Sequence, residues 1–211
     1  IVLLAEALFL NLWKEKSYHH CLPWALNFKK EKIMSLNTLE EIAEYIVSNG
    51  KGILAADESN PTCGKRFDSI GVESTETNRR DYREMLFRAT GMQDNIGGVI
   101  LFDETIRQSA EDGTPLVELI KNQGALPGIK VDKGLAPIDS SPEETVTQGL
   151  DGLDERCKEY FSLGAKFTKW RAVIKISDNI PSDECIEANM RALAKYAKIV
   201  QNNNMVPMVE P

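Results

Sequence analysis

Lys169 and Arg171 flank Trp170 in a short apolar stretch entered through Gly164, Gly-Ala-Lys-Phe-Thr-Lys-Trp-Arg-Ala-Val-Ile-Lys-Ile. In an extended chain successive side chains alternate faces, so Lys169 and Arg171 share one face and Trp170 takes the other. Two neighbouring cations among apolar residues are costly unless something anionic meets them. Taken alone, the stretch is equally well read as a strand end with two solvated cations. Similar charged ends recur elsewhere, however, in Gly-Ile-Leu-Ala-Ala-Asp57, Gly-Ile-Lys130-Val-Asp132 and Met-Val-Pro-Met-Val-Glu210. Together they would set lysines, an arginine and carboxylates at the ends of several apolar strands. That set is suited to holding an anion and moving protons.

The rest of the composition narrows the chemistry. The chain has 211 residues, 42% hydrophobic and 27% charged, with a formal net charge of -7. These are the proportions of an ordinary globular protein with one good core. An acidic balance argues against nucleic acid or an anionic membrane as partner, so an anionic substrate would need a local basic cluster. The only histidines are the adjacent His19 and His20. The body of the chain therefore has no Ser-His-Asp triad, no Cys-His pair and no histidine-ligated zinc. His19, His20 and Cys21 are neighbours, and neighbouring side chains rarely converge on one ion, so no metal is expected. Cys21, Cys63, Cys157 and Cys185 are scattered without a CxxC spacing, which fits free thiols in a reducing compartment.

The elements that would position these residues can be read in order. Residues 1–33 differ in character from the remainder of the chain. Ile1 to Trp13 is mostly apolar, too short to span a bilayer, and lacks the basic lead-in of a signal peptide. Met34 opens a plausible mature start, so residues 1–33 are expected to be a leader or untranslated-region read-through outside the fold. Asn37 or Thr38 can cap a helix running to about Val47, ended by Ser48-Asn49-Gly50. A first strand ends at Asp57, and Asn60 to Gly64 read as loop before Lys65 and Arg66. Gly64-Lys65-Arg66 lacks the upstream glycine and following Ser/Thr of a Walker loop.

Helices are expected over Glu76 to Thr90 and Leu116 to Asn122, with a second strand at Gly97 to Phe102 and a third at Gly128 to Asp132. Lys130 and Asp132 share a face of that third strand. Pro142 to Gly149 reads as loop and Leu150 to Leu163 as helix. The Lys169 stretch is the fourth strand. Pro181 to Asn202 is a long helix with Ile186, Met190, Leu193, Ala194 and Ala197 at helical spacing, and the fifth strand ends at Glu210.

Strands separated by helices, about 30 to 45 residues apart, imply βαβ units and a parallel sheet. No GxGxxG follows the first strand, which weighs against a dinucleotide-binding fold. Charged residues gather at C-terminal strand ends, the end that faces the active site in a (β/α)8 TIM barrel, and this favours a barrel over an open sheet. Five strands do not close such a barrel, so the expected fold is an α/β TIM barrel truncated after about the fifth strand, carried by residues 34–211.

Six motifs resemble class I fructose-bisphosphate aldolase in the family's order and spacing. They are Gly-Ile-Leu-Ala-Ala-Asp57-Glu-Ser, Gly-Gly-Val-Ile-Leu-Phe102, Gly-Ile-Lys130-Val-Asp-Lys-Gly, Gln148-Gly-Leu-Asp-Gly-Leu, Lys169-Trp-Arg171 and Val206-Pro-Met-Val-Glu210-Pro. The resemblance covers about residue 38 to 211. It implies a (β/α)8 barrel that reversibly cleaves fructose 1,6-bisphosphate to dihydroxyacetone phosphate and glyceraldehyde 3-phosphate through a lysine Schiff base. It further implies no cofactor, a homotetramer when full length, and a place in glycolysis and gluconeogenesis. Such chemistry needs an amine nucleophile, proton-transfer groups and cations for two phosphates, and lysines and carboxylates without histidine suit it.

By the same resemblance, Asp57 would help deprotonate the hydroxyl at the breaking carbon bond. Lys169 would hydrogen-bond that hydroxyl and assist proton transfer, and Glu210 would act as acid and base in Schiff-base formation. Lys130 and Arg171 would hold substrate polar groups, including a phosphate, and Lys65 and Arg66 would lie near the other phosphate. The family's Schiff-base lysine lies on the sixth strand, beyond Pro211, so these 211 residues alone are expected to be inactive and poorly folded. One rival reading is a truncated, non-catalytic isoform that binds partners through an exposed barrel edge. Another is a different phosphate-binding barrel enzyme that reuses the Lys130 and Lys169 motifs. The cytoplasm is the expected location, with a plastid open as well.

Overall fold

Thr38 starts the first helix. Its hydroxyl accepts a hydrogen bond from the Glu41 N–H at 3.1 Å, and the Glu41 carboxylate accepts from the Thr38 N–H at 3.0 Å. This reciprocal pair satisfies two donors that a helix start otherwise leaves open. The helix, α1, spans Leu39–Val47 and buries Ile42 and Ile46. It belongs to a computed structural model that describes residues 2–4 and 36–211. The chain divides into two units, one running through Ile129 and the other spanning Lys130–Pro211. Apart from residues 2–4, the expected leader lies outside the described residues.

The first unit is a parallel sheet with helices between its strands. Its strands are β1 (Val2–Leu4), β2 (Gly52–Ala56), β3 (Ile96–Leu101) and β4 (Leu126–Lys130), each pairing parallel with the next. Every residue of β3 is buried, as a parallel strand covered on both faces requires. The helices are α2 (Asn60–Asp68), α3 (Glu76–Phe87), α4 (Met92–Asn95), α5 (Asp103–Ile106) and α6 (Leu116–Asn122). Gly97 lets α1 lie against β3, because a Cβ there would sit 1.9 Å from the Ile46 carbonyl oxygen.

The second unit opens with an antiparallel hairpin, β5 (Leu135–Ile138) and β6 (Ser141–Thr147). Then come α7 (Leu153–Ser162), β7 (Phe167–Arg171), α8 (Asp183–Asn202) and β8 (Val206–Glu210). The strands β7 and β8 pair parallel from Phe167 opposite Val206 to Arg171 opposite Glu210. The alternation expected around Trp170 is present: Trp170 is wholly buried and Arg171 is exposed. The Trp170 ring packs on Tyr196 of α8 with centroids 5.2 Å apart. The Tyr196 hydroxyl donates to the Met208 carbonyl at 3.2 Å and receives Thr168 Oγ1 at 2.6 Å, which ties α8 to both strands.

Three expectations need correcting. Asn60 to Gly64 is not a loop but the first half of α2. Pro61 stands in its first turn, where a missing N–H does no harm, and Cys63 and Phe67 are buried on one side. Pro142 to Thr147 is not a loop but most of β6. The Thr147 hydroxyl donates to the Arg171 carbonyl at 2.8 Å and the Thr145 hydroxyl to the Val173 carbonyl at 3.3 Å, so side chains tether this strand.

Helix α8 also buries a face that shares only Leu193 with the expected set. Its buried residues are Cys185, Asn189, Ala192, Leu193, Tyr196 and Val200, whereas Ile186 and Met190 are exposed. Asn189 belongs inside because its amide donates to the Thr145 carbonyl at 2.9 Å and its oxygen accepts the Thr147 N–H at 3.4 Å. A buried polar group that is fully paired does not oppose burial.

Candidate active site

In the second unit, Lys130 and the C-terminal ends of β7 and β8 bring together most of the expected residues. Lys169 Nζ lies 3.1 Å from Glu210 Oε2, and Arg171 Nε lies 3.8 Å from Glu210 Oε1. The parallel register explains both contacts, since Arg171 stands opposite Glu210 and Lys169 is one pleat behind. The Lys169 side chain is 11% exposed and the Glu210 side chain 44%. A nearly buried cation thus meets an anion that still reaches solvent. Such a pair can exchange a proton with a ligand placed over it.

Lys130 joins this group through Asp132. Its Nζ donates to the Asp132 carbonyl at 3.0 Å and forms an ion pair with Asp132 Oδ1. The other carboxylate oxygen, Oδ2, accepts the Arg171 N–H at 3.5 Å. The Val131 N–H between Lys130 and Asp132 donates to the Lys169 carbonyl at 3.0 Å. Within the second unit, Asp132 therefore links Lys130 to the end of β7. The shared face of Lys130 and Asp132 was readable from alternation. The bridge to Arg171 was not, since it joins residues far apart in sequence.

In the first unit, Asp57 follows directly on β2 and Glu58 follows Asp57. Glu58 is a residue that sequence reasoning missed. Its carboxylate forms an ion pair with Arg66 through Oε1 and accepts the Tyr82 hydroxyl at 3.2 Å. Its Oε2 lies 3.0 Å from Arg83 Nη2. Two guanidinium groups thus share one carboxylate, which fixes Arg66 on α2. Lys65, next to Arg66 on the same helix, is exposed. Burial, helped by the Glu58 carboxylate, pushes the Tyr82 hydroxyl well above the ordinary tyrosine range, so it keeps the proton that it donates to Glu58.

Among the described residues, no group of three or more His, Cys, Asp or Glu side chains is placed to hold a metal ion. Among the same residues, no helix is long and apolar enough to cross a membrane.

Parallel strands alternating with helices, with charged residues at the C-terminal strand ends, define the (β/α)8-barrel class. The fructose-bisphosphate aldolase class-I family model matches residues 38–211. The chain belongs to that family. A protein named probable fructose-bisphosphate aldolase class 1, from Xanthomonas campestris pv. campestris, is 54% identical over 178 residues, 84% of this chain and 53% of its own length. Fructose-bisphosphate aldolase 6, cytosolic, from Arabidopsis thaliana is 56% identical over 169 residues, 80% of this chain and 47% of its own.

Among solved structures, the fructose-bisphosphate aldolase of Plasmodium falciparum, crystallised with TRAP and a small-molecule inhibitor, superposes with a TM-score of 0.80 at 46% identity. That match covers 94% of this chain and 55% of the other. The fold is that of part of a (β/α)8 barrel. The chain spans about half the length of the curated relatives it matches.

Proposed function

We propose that the protein carrying this chain is a class I fructose-bisphosphate aldolase, a lyase that reversibly splits fructose 1,6-bisphosphate into dihydroxyacetone phosphate and glyceraldehyde 3-phosphate. The observation that carries this reading is the pairing of Lys169 with Glu210 at 3.1 Å, at the strand ends where the barrel class keeps its chemistry. Membership of the aldolase family gives that pair its context.

In this reading the substrate's carbonyl carbon is attacked by a lysine amine, which by the resemblance belongs to the strand after β8. As the amine adds, its nitrogen gives up a proton and the carbonyl oxygen gains one; the carbinolamine then loses water once its hydroxyl is protonated, leaving a protonated Schiff base. Glu210, half exposed and paired to an ammonium, serves these steps as base and then acid. Asp57 takes the proton of the hydroxyl on the carbon that leaves as aldehyde, and Lys169 hydrogen-bonds that hydroxyl. Arg171 and Lys130 bind one phosphate and nearby polar groups, with Arg171 offering the planar fork that suits a phosphate. Arg66, held by Glu58, and Lys65 face the other phosphate. No cofactor takes part. The enzyme works in the cytoplasm as a homotetramer, with residues 34–211 supplying this portion of its barrel.

The test is cleavage of fructose 1,6-bisphosphate by the intact enzyme, followed by borohydride trapping with dihydroxyacetone phosphate. Turnover together with a covalently trapped protein supports the reading. Turnover that borohydride leaves untouched overturns the Schiff-base route, and absence of turnover overturns the activity.

A further inference from the structure

Arg83 is 2% exposed, yet it is one of the longest charged side chains in the protein. Its guanidinium is spread over five groups. Nε donates to the Ala56 carbonyl at 3.0 Å, and Nη2 donates to the Glu58 carbonyl at 3.0 Å. Nη2 also lies 3.0 Å from Glu58 Oε2, and Nη1 donates to Cys63 Sγ at 3.1 Å. The Tyr82 ring lies beneath, 5.0 Å from its central carbon.

A buried ion pair alone would need only the carboxylate. Here two donors instead grip the carbonyls on either side of one residue, and that residue is Asp57. Arginine alone can do this, because its donors are splayed in a rigid plane. β2 ends at Ala56, and Arg83 grips the chain just where it leaves that strand.

We propose that Arg83 is a positioning residue for Asp57: it clamps the Ala56 and Glu58 carbonyls and so fixes the direction in which the Asp57 side chain leaves the strand. This rests on the reading of Asp57 as the group that accepts the substrate hydroxyl proton. It adds a residue from α3 that touches no substrate. Through Glu58 the same guanidinium also backs Arg66, so one buried cation supports two members of the first unit's site.

The test uses the intact enzyme with Arg83→Lys, which keeps the charge and removes the fork. A misplaced catalytic group loses rate rather than affinity. The expected result is a fall in kcat of about 10- to 100-fold, with KM changed less than about threefold. In an Asp57→Asn background the same substitution should lower kcat by less than about threefold, because the positioned group is already lost. An equal loss in both backgrounds overturns the proposal and leaves Arg83 a role in the fold alone.

A second reading needs no turnover. Amides of residues 57–59 should exchange with solvent at least about tenfold faster in Arg83→Lys, while Leu54 and Leu86 keep their rates. Uniform acceleration, or no change at 57–59, overturns the proposal. Should Arg83→Lys fail to fold, Arg83→Gln, which can still donate to one carbonyl, is read by the same two measurements. Failure of both variants to fold assigns Arg83 to the fold and overturns the proposal. If the unsubstituted enzyme cleaves no sugar bisphosphate, the functional reading falls, and exchange alone decides whether Arg83 holds the Asp57 backbone.

Discussion

Lys169 and Glu210 face each other across the β7–β8 pair, with 3.1 Å between ammonium and carboxylate. The Lys169 side chain is sheltered, and the Glu210 side chain still reaches solvent.

Disruption of that pair should reduce the rate more than the binding. Glu210→Gln and Lys169→Met in the intact enzyme should each lower kcat by about 100- to 10,000-fold, the usual worth of a general acid or base. The double variant should lose much less than the product of the two. Steady-state kinetics on the three proteins checks this, and independent, fully multiplicative losses would sink the shared role.

Arg171 should show the opposite balance. It is exposed and reaches only 3.8 Å to Glu210, which leaves its guanidinium open to a phosphate. Arg171→Ala removes a charge-assisted hydrogen bond of about 1.5–3 kcal/mol. KM for the sugar bisphosphate should therefore rise about 10- to 150-fold, with a smaller change in kcat. An unchanged KM would remove Arg171 from the binding site.

Gly97→Ala tests the approach of α1 to β3. The added carbon would lie 1.9 Å from a backbone oxygen, a neighbour that cannot swing aside. Overpacking of this kind costs about 1–3 kcal/mol, so the denaturant midpoint should fall accordingly. A midpoint within error of the parent would mean that α1 does not sit there.

Glu144 supplies a pH dependence. Its buried carboxylate accepts the Ser182 N–H at 2.7 Å and the Ser182 hydroxyl at 2.8 Å, while Ser182 caps α8. The backbone hydrogen bond from Ser182 holds this carboxyl below its ordinary value of 4.5. A lowered folded-state value means that the stabilisation is fully present above the ordinary value. It is lost as pH falls below that value and through the folded one. Glu144→Gln should therefore be less stable than the parent near neutral pH, with the gap closing in acid. Urea titrations at about pH 7 and about pH 3 measure this. A gap that stays constant with pH would refute the linkage.

Cys157 should resist thiol reagents in the folded protein. Burial pushes its thiol up to about 11, so at mildly alkaline pH almost none of it is thiolate. Mass-spectrometric mapping should find Cys157 unmodified until denaturant is added, and rapid native labelling would contradict its placement.

Much of the architecture is legible in the order of residues, because it rests on local rules. Thr38 with Glu41 marks a helix start, the run from Gly97 to Leu101 marks a buried parallel strand, and Lys169-Trp170-Arg171 shows its own two faces. The site's strand-end residues stand out for the same reason, as charges closing apolar runs. What escapes such reading depends on distant partners. Asn60-Pro61-Thr62-Cys63-Gly64 has the composition of a turn and becomes helical in the setting of a buried Cys63 and Phe67. Asn189 and Tyr196 lie on the buried face of α8 because Thr145 and Thr168 wait for them there, whereas the aliphatic Ile186 and Met190 stay outside. The long-range contacts of Asp132, Glu58 and Arg83 become visible only once their carbonyl and guanidinium partners are in place.

The clamps on the strand ends have a consequence for how the protein is made. Arg83 reaches back 27 residues to the Ala56 carbonyl, and Arg156 on α7 reaches back 25 to the Val131 carbonyl, donating at 3.0 Å. Both clamps join a strand end to a helix that follows it within a short stretch of chain, and closing such short loops loses little entropy. As the polypeptide leaves the ribosome, the Ala56 and Val131 carbonyls can be engaged one after the other, each as soon as its own helix has emerged. Neither has to wait for β8 to be synthesised.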